Sequence, residues 1–283
     1  MNARPEKIVF AGNLVILGFG SIGQAVLPLL LRHLTIESGR IRIVKTVPDA
    51  SGLAARYGVP VTAMPITQAN MEDVLAPMLA PGDFLLNVCL DVSSVALVAL
   101  CHRLGALYLD TCVEPWPGVY DNPELTPSQR SNYALREQML TLRNTLCGGP
   151  TALVTQGANP GLISALLKQA LLRLAAENGL DSGIPADRAG WAGLARRLDL
   201  RVIHVAERDT QSGRPRKMRG EFVNTWSIEG FVDEGLQPAE LGWGSHERHW
   251  PADAARHGFG CDAAILLQRP GIATRVRSWT PLE

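Results

Sequence analysis

Ten residues near the N-terminus constrain this chain more than any others: Leu14-Val15-Ile16-Leu17-Gly18-Phe19-Gly20-Ser21-Ile22-Gly23. The apolar run Leu14 to Leu17 is too short for a helix and is bounded by glycine, so it reads as a strand buried on both faces. Residues 21 to 34 then carry apolar side chains at helical spacing, with Pro28 expected to kink the helix. Strand, G-x-G-x-x-G, helix is the setting in which those glycines acquire a physical meaning. Gly18 permits the tight turn, Gly20 lets the backbone approach a ligand, and Gly23 lets helix and strand pack closely. The free N–H groups and positive dipole end behind them suit a pyrophosphate. The segment reads as a dinucleotide site.

The chain has 283 residues, 46% of them hydrophobic and 19% charged, which describes a globular protein with one large core or two modest ones. Its 27 basic and 27 acidic residues cancel, so no global field points to nucleic acid or an anionic membrane surface. Ile8 to Leu31 carries no charge over 24 residues, long enough to span a bilayer. Eight breakers and polar residues interrupt it, from Gly12 to Pro28, and no small-residue cleavage site follows, so neither a membrane helix nor a signal peptide is expected. The five cysteines are scattered without a C-x-x-C, which suits a reducing cytoplasm.

Strand–helix alternation continues for the next hundred residues, as in a doubly wound parallel sheet. Strands are expected at Ile41–Val47, Val59–Met64, Phe84–Val88 and Ala106–Leu109, with helices near Met71–Leu79, after Ser94 and at Ser128–Leu146. Asp49 ends the second strand late: it either binds the adenosine ribose or caps the helix that follows. Asp91, at the end of the fourth strand, reads either as the N-cap of the next helix or as a residue facing the ligand. Ligands of such sheets sit beyond the carboxyl ends of the strands. The Gly18 loop, Asp91 and residues Thr111 to Glu114 should therefore converge. A boundary near Gly157 divides a nucleotide-binding domain, 1–157, from a substrate domain, 158–283. In the second domain a helix is expected at Leu162–Glu177 and another at Arg188–Leu198. Alternation predicts antiparallel strands at Leu200–Ala206 and Glu221–Ile228, the latter carrying Trp226. The basic cluster Arg214, Arg216, Lys217 and Arg219 between them reads as a solvated turn.

Six ordered blocks, GFGSIGQ-x-x-L-P-L, N-x-x-x-DVSS, YLDTCVEPW, GANPG, H-x-AERDTQ and EFVNTWS-x-x-GF, resemble the bacterial homospermidine synthase family of the saccharopine dehydrogenase-like superfamily. The resemblance implies a Rossmann-type domain followed by an α+β substrate domain with a largely antiparallel sheet. It implies a redox-neutral aminobutyl transfer with NAD: putrescine is oxidised, a second amine (putrescine) displaces ammonia, and the imine is reduced, with spermidine as a further polyamine substrate. By that similarity Glu114, Asn159 and Glu207 hold the distal ammonium and manage protons. Trp226 stabilises the cationic imine, and Glu234 guides the polyamine at an outer site. Ser21, Ile22, Leu90, Asp91, Thr111 and Ala158 would line the NAD together with Gly18, Gly20 and Gly23. A homodimer follows from the same resemblance. The family's chains continue further, so this one is expected to be a truncated sequence or a shortened relative.

The residue types suit that chemistry. A diamine dication needs carboxylates, whereas an indole face attracts a cation without accepting its proton, for ~1–2 kcal/mol when desolvated. Trp226 also reads as a core aromatic on a strand, and Glu207 as a surface ion pair. His246 and His249 lack the H-E-x-x-H spacing and are not read as metal ligands. Two other functions fit the same pattern. A saccharopine or carboxynorspermidine dehydrogenase-like oxidoreductase would bring arginines to the pocket, and a non-catalytic NAD-binding module would bind NAD without exchanging a diamine.

Overall fold

The computed structural model describes residues 6–180, 183–208, 210 and 216–275. In chain order the elements are β1 (Ile8–Val9), β2 (Leu14–Leu17), α1 (Ser21–His33), β3 (Leu34–Thr35), β4 (Ile41–Lys45), α2 (Leu53–Arg56), β5 (Val61–Ala63) and α3 (Met71–Leu75). There follow β6 (Phe84–Asn87), α4 (Ser94–Leu104), β7 (Leu107–Asp110), α5 (Asn132–Thr145), β8 (Ala152–Leu153), α6 (Leu162–Glu177) and α7 (Arg188–Arg197). The last are α8 (Ile228–Leu236), β9 (Pro238–Gly242), β10 (Ala254–Ala255) and β11 (Ala264–Pro270).

Six strands form one parallel sheet in the order β5-β4-β2-β6-β7-β8. This is the Rossmann order 3-2-1-4-5-6, whose reversal point lies between β2 and β6. All four residues of β2 are buried because both faces of the sheet are covered. Val15 and Leu17 enter one core with Leu85, Leu97 and Tyr108, while Leu14 and Ile16 enter the other with Leu27, Ile41 and Ile43. The alternation follows from the two-residue period of a strand. Buried Asp83, at the base of the sheet, accepts from Asn13 N at 2.7 Å, Asn13 Nδ2 and Ala80 N, and so fixes where β2 and β6 begin.

By contact density the chain falls into two compact units, residues 1–154 with 224–283, and Thr155–Val223. In the first, β9, β10 and β11 form a three-stranded antiparallel sheet. It is anchored to the sequence preceding α5 and to α5 itself: His257 lies 2.7 Å from Ser128 Oγ and stacks on Tyr133, whose N–H faces Glu240 of β9. In the second unit α6 and α7 bury Leu171, Ala175 and Leu194 between them.

The antiparallel sheet is thus real but made of other residues than expected. Residues 200–206 form no strand, and their apolar Val202, Ile203 and Val205 are exposed. Alternation defines two sides of a segment, but a strand also needs a hydrogen-bonded neighbour, and among the described residues none pairs there. Nor is 221–228 a strand. It bends into α8, whose N-cap Ser227 accepts from Gly230 N at 3.0 Å. The helical signal was present as Ser227 with apolar Ile228, Phe231, Val232 and Leu236, and it outweighs the alternation. Of the basic turn, Arg214 lies outside the described residues. Among the described residues no helix is long and apolar enough to cross a membrane.

Candidate active site

The ends of β2, β6 and β7 lie in register, Leu17 opposite Asn87 and Asn87 opposite Asp110. The three loops that follow therefore leave the sheet at one edge, at its reversal point. Gly18 takes φ +95° and sits so close to the next loop that a Cβ would meet Cys89 and Val88 at 2.8 Å. A Cβ on Gly23 would meet Gly18 O at 2.6 Å, whereas one on Gly20 would meet nothing within 4 Å. Gly23 is thus required by packing, whereas the space beside Gly20 is open. Gly20 is also the N-cap of α1 and offers no side chain to the first turn, so the N–H groups there stay available to an anion. Exposed Ser21 and Ile22 stand on that turn. These features fit a dinucleotide pyrophosphate.

Asp49 is committed elsewhere. Its carboxylate accepts from Ser51 N and Oγ at 3.1 and 2.6 Å and from Ala54 N at 3.4 Å, and the Ser51 hydroxyl bond holds its pKa below the ordinary value. The N-cap position of α2 is Gly52, so Asp49 is not the cap but ties its own loop to the helix's first turn. Asp91 has the opposite outcome. Ser93, not Asp91, caps α4 by accepting from Ala96 N, and Asp91 adopts φ +63° with an exposed carboxylate. Burial, then the charges of Asp233 and Glu229, raise its pKa.

Glu114 emerges from the β7 loop, held by two backbone bonds to Ser94: Ser94 N donates to Glu114 O at 2.9 Å, and Glu114 N donates to Ser94 Oγ at 3.0 Å. Burial is the main cause that pushes its carboxyl up to about 7, with the charges of Asp91, Glu234 and fully buried Asp110 adding to it. A hydrogen bond from the Cys112 thiol opposes the rise. Burial, Glu114 and Glu234 push that thiol up to about 12. Tyr120, hydrogen-bonded to Gln237, faces the same group, and burial followed by Glu114 and Cys112 raises its pKa. Asp91, Glu234 and Asp110 are carboxylates, and each disfavours the ionisation of Glu114.

The structure thus brings Asp91, Glu114 and Glu234 together and adds Asp110, Cys112 and Tyr120, which sequence reading missed. Asp110, Cys112 and Glu114 recur at every second position, a period that points one face of an extended segment at one place. Trp226 is neither on a strand nor in the core. It is 37% exposed, edge-on to Phe231 at 6.3 Å, just before the helix that carries Glu229, Asp233 and Glu234. Leu90 and Thr111 are half-buried at the strand ends. Ala158, Asn159 and Glu207 belong to the second unit. There Ala158 and Asn159 occupy the turn before α6, where Ile163 N donates to Ala158 O at 3.0 Å, and Glu207 is exposed.

Residues 14–153 match the saccharopine dehydrogenase NADP binding domain, and residues 157–281 the saccharopine dehydrogenase C-terminal domain. Homospermidine synthase of Blastochloris viridis is 48% identical over 273 residues, covering 95% of this chain and 57% of the relative. That of Mesorhizobium japonicum is 44% identical over 275 residues with the same coverage. The crystal structure of homospermidine synthase from Legionella pneumophila, in complex with NAD, superimposes with a TM-score of 0.84 at 45% identity, over 97% of this chain and 57% of that one. The chain therefore spans somewhat more than half the length of these relatives. The two domain matches, which together run from residue 14 to 281, place the chain in the saccharopine dehydrogenase family, and the relatives it resembles at identities near one half are homospermidine synthases.

Proposed function

We propose that this chain carries the active site of a homospermidine synthase, which transfers the aminobutyl group of putrescine to a second putrescine and releases ammonia. The observation that carries the reading is the set of carboxylates, Asp91, Glu234 and Asp110, whose charges act on buried Glu114. Such a site favours a diammonium ion and disfavours the carboxylate-bearing amines of saccharopine-type dehydrogenases.

The glycine loop, the first turn of α1 and residues Leu90, Asp91, Thr111 and Ala158 would hold NAD. When bound, NAD supplies the reversible hydride acceptor that oxidises the first amine and reduces the final imine. Hydride leaves only from a carbon next to a neutral amine, because an ammonium nitrogen has no lone pair to form the C=N bond. Putrescine enters as a dication, so one ammonium must first lose a proton. Glu114, with a pKa near 7, is matched to take it. By the resemblance, Glu207 and Asn159 serve an ammonium group, and Glu234 leads the second amine in. Trp226 faces the cationic imine without offering it a base. The second amine adds to that imine, ammonia leaves, and reduction gives homospermidine with no net redox change.

Functionally the division falls at 157/158, with the cofactor half first and the substrate half, 158–283, after it. The five free thiols fit a cytoplasmic setting, and a homodimer is the expected assembly. The test is to incubate the purified protein with NAD and putrescine at mildly alkaline pH and analyse the products by mass spectrometry. Homospermidine and ammonia without accumulating NADH support the reading. NADH alone would indicate an ordinary amine dehydrogenase, and bound NAD without reaction would refute catalysis by this chain.

A further inference from the structure

Helix α4 opens with two serines whose side chains do different things. Ser93 turns back on its own helix and accepts from Ala96 N at 3.3 Å. That caps α4 and leaves the N–H of Ser94, an orphan donor of the first turn, to be used outside the helix. Ser94 spends it on Glu114 O at 2.9 Å. Its hydroxyl accepts from Glu114 N at 3.0 Å and lies 3.5 Å from Cys112 O, to which it donates. The hydroxyl is also within reach of Tyr108, whose own hydroxyl donates to Asp110 at 2.9 Å. Ser94 is fully buried, so water does not replace these bonds.

We propose that Ser94 is the positioning residue of the proposed reaction, fixing the Glu114 carboxyl at the ends of β6 and β7 through a two-point grip on its backbone. The role rests on the assignment of Glu114 as the proton-accepting group. Only a side chain that donates and accepts at once fits between Glu114 N and Cys112 O. Alanine does neither and leaves a buried N–H without a partner, which the loop relieves by moving toward water. The carboxyl then gains solvent and moves away from Asp91, Asp110, Cys112, Tyr120 and Glu234, the groups that face it. Its titration falls toward the ordinary carboxylate range.

The test follows the Glu114 carboxyl by difference infrared spectroscopy on NAD-loaded protein without substrate, its band identified by its loss in Glu114→Gln. Ser94→Ala is expected to move that titration to lower pH, and Ser94→Thr, which keeps the hydroxyl, to restore it. Ser93→Ala removes only the cap: it should lower the melting temperature and leave the titration where the unchanged protein has it. With substrate, Ser94→Ala should lower kcat on the order of 10- to 100-fold, the scale for a displaced reacting group. A folded Ser94→Ala protein whose Glu114 titrates as before overturns the proposal, as does an equal shift in Ser93→Ala. If the unchanged protein makes no homospermidine, the proposed reaction fails while the infrared titration still decides the role of Ser94.

Discussion

Replacing Glu114 by glutamine should make the ligand-free protein more stable and inactive at once. The carboxyl titrates at about 7 in the fold against an ordinary value of 4.5, chiefly because it is buried and then because Asp91, Glu234 and Asp110 surround it. Below about pH 4.5 it is protonated in both folded and unfolded chains and contributes nothing to the pH dependence. Between that pH and about 7 the unfolded chain ionises while the folded one holds its proton, so stability falls as pH rises. One pH unit of displacement is worth about 1.4 kcal/mol, so above neutrality the ionised group costs the fold up to about 3 kcal/mol. Glutamine keeps the shape and removes that cost. In urea unfolding followed by tryptophan fluorescence, the gain of Glu114→Gln over the unchanged protein should be near zero at pH 4.5. It should grow through pH 7 and level off at about 2 to 3 kcal/mol by pH 8.5. Putrescine turnover should be lost throughout. A gain that is absent at pH 8.5, or that grows as pH falls, would refute the account of Glu114.

The glycines should separate ligand from fold. Gly20→Ala should fold with a stability change within about 0.5 kcal/mol and bind NAD at least tenfold more weakly by calorimetry, since its Cβ meets no protein atom. Gly23→Ala drives a Cβ into Gly18 O and should cost about 1–3 kcal/mol in thermal unfolding. Trp226→Phe should retain part of the homospermidine activity and Trp226→Ala little, and equal activity in all three proteins would end the cation–π assignment. On the acid side, kcat/KM for putrescine should rise with pH through an inflection near 7, set by free Glu114. An inflection near 4.5 would mean that the group titrates as an ordinary carboxylate.

The first half of the chain was legible because its signals are local. The β2 run, the three glycines and the apolar spacing of α1 each act within a few residues, and the structure places β2 and α1 where that pattern puts them. The second half misled because Leu200–Ala206 and Glu221–Ile228 alternate without a strand to pair with among the described residues. The strands of the antiparallel sheet, β9 and β11, carry proline or glycine at their ends and a bulge between Leu266 and Pro270, which obscure their period. At α8 the local evidence favoured two structures, and the cap at Ser227 prevailed.

What the sequence determined alone is the nucleotide half: the tight turn, the close approach at Gly20 and the order of strand and helix, all set by short-range sterics and periodicity. The family blocks drew attention to Glu114 and Trp226. What only the tertiary structure decided is the character of those residues. Asp49 and Asp91 were equivalent in the sequence, yet the first is consumed by its own loop and the second is left beside Glu229 and Asp233. Glu114 is tuned by burial and by carboxylates 23 positions before it and 120 after it, at Asp91 and Glu234. Charge–charge energies depend on separation in space and on the surrounding dielectric, and neither is a property of spacing along the chain.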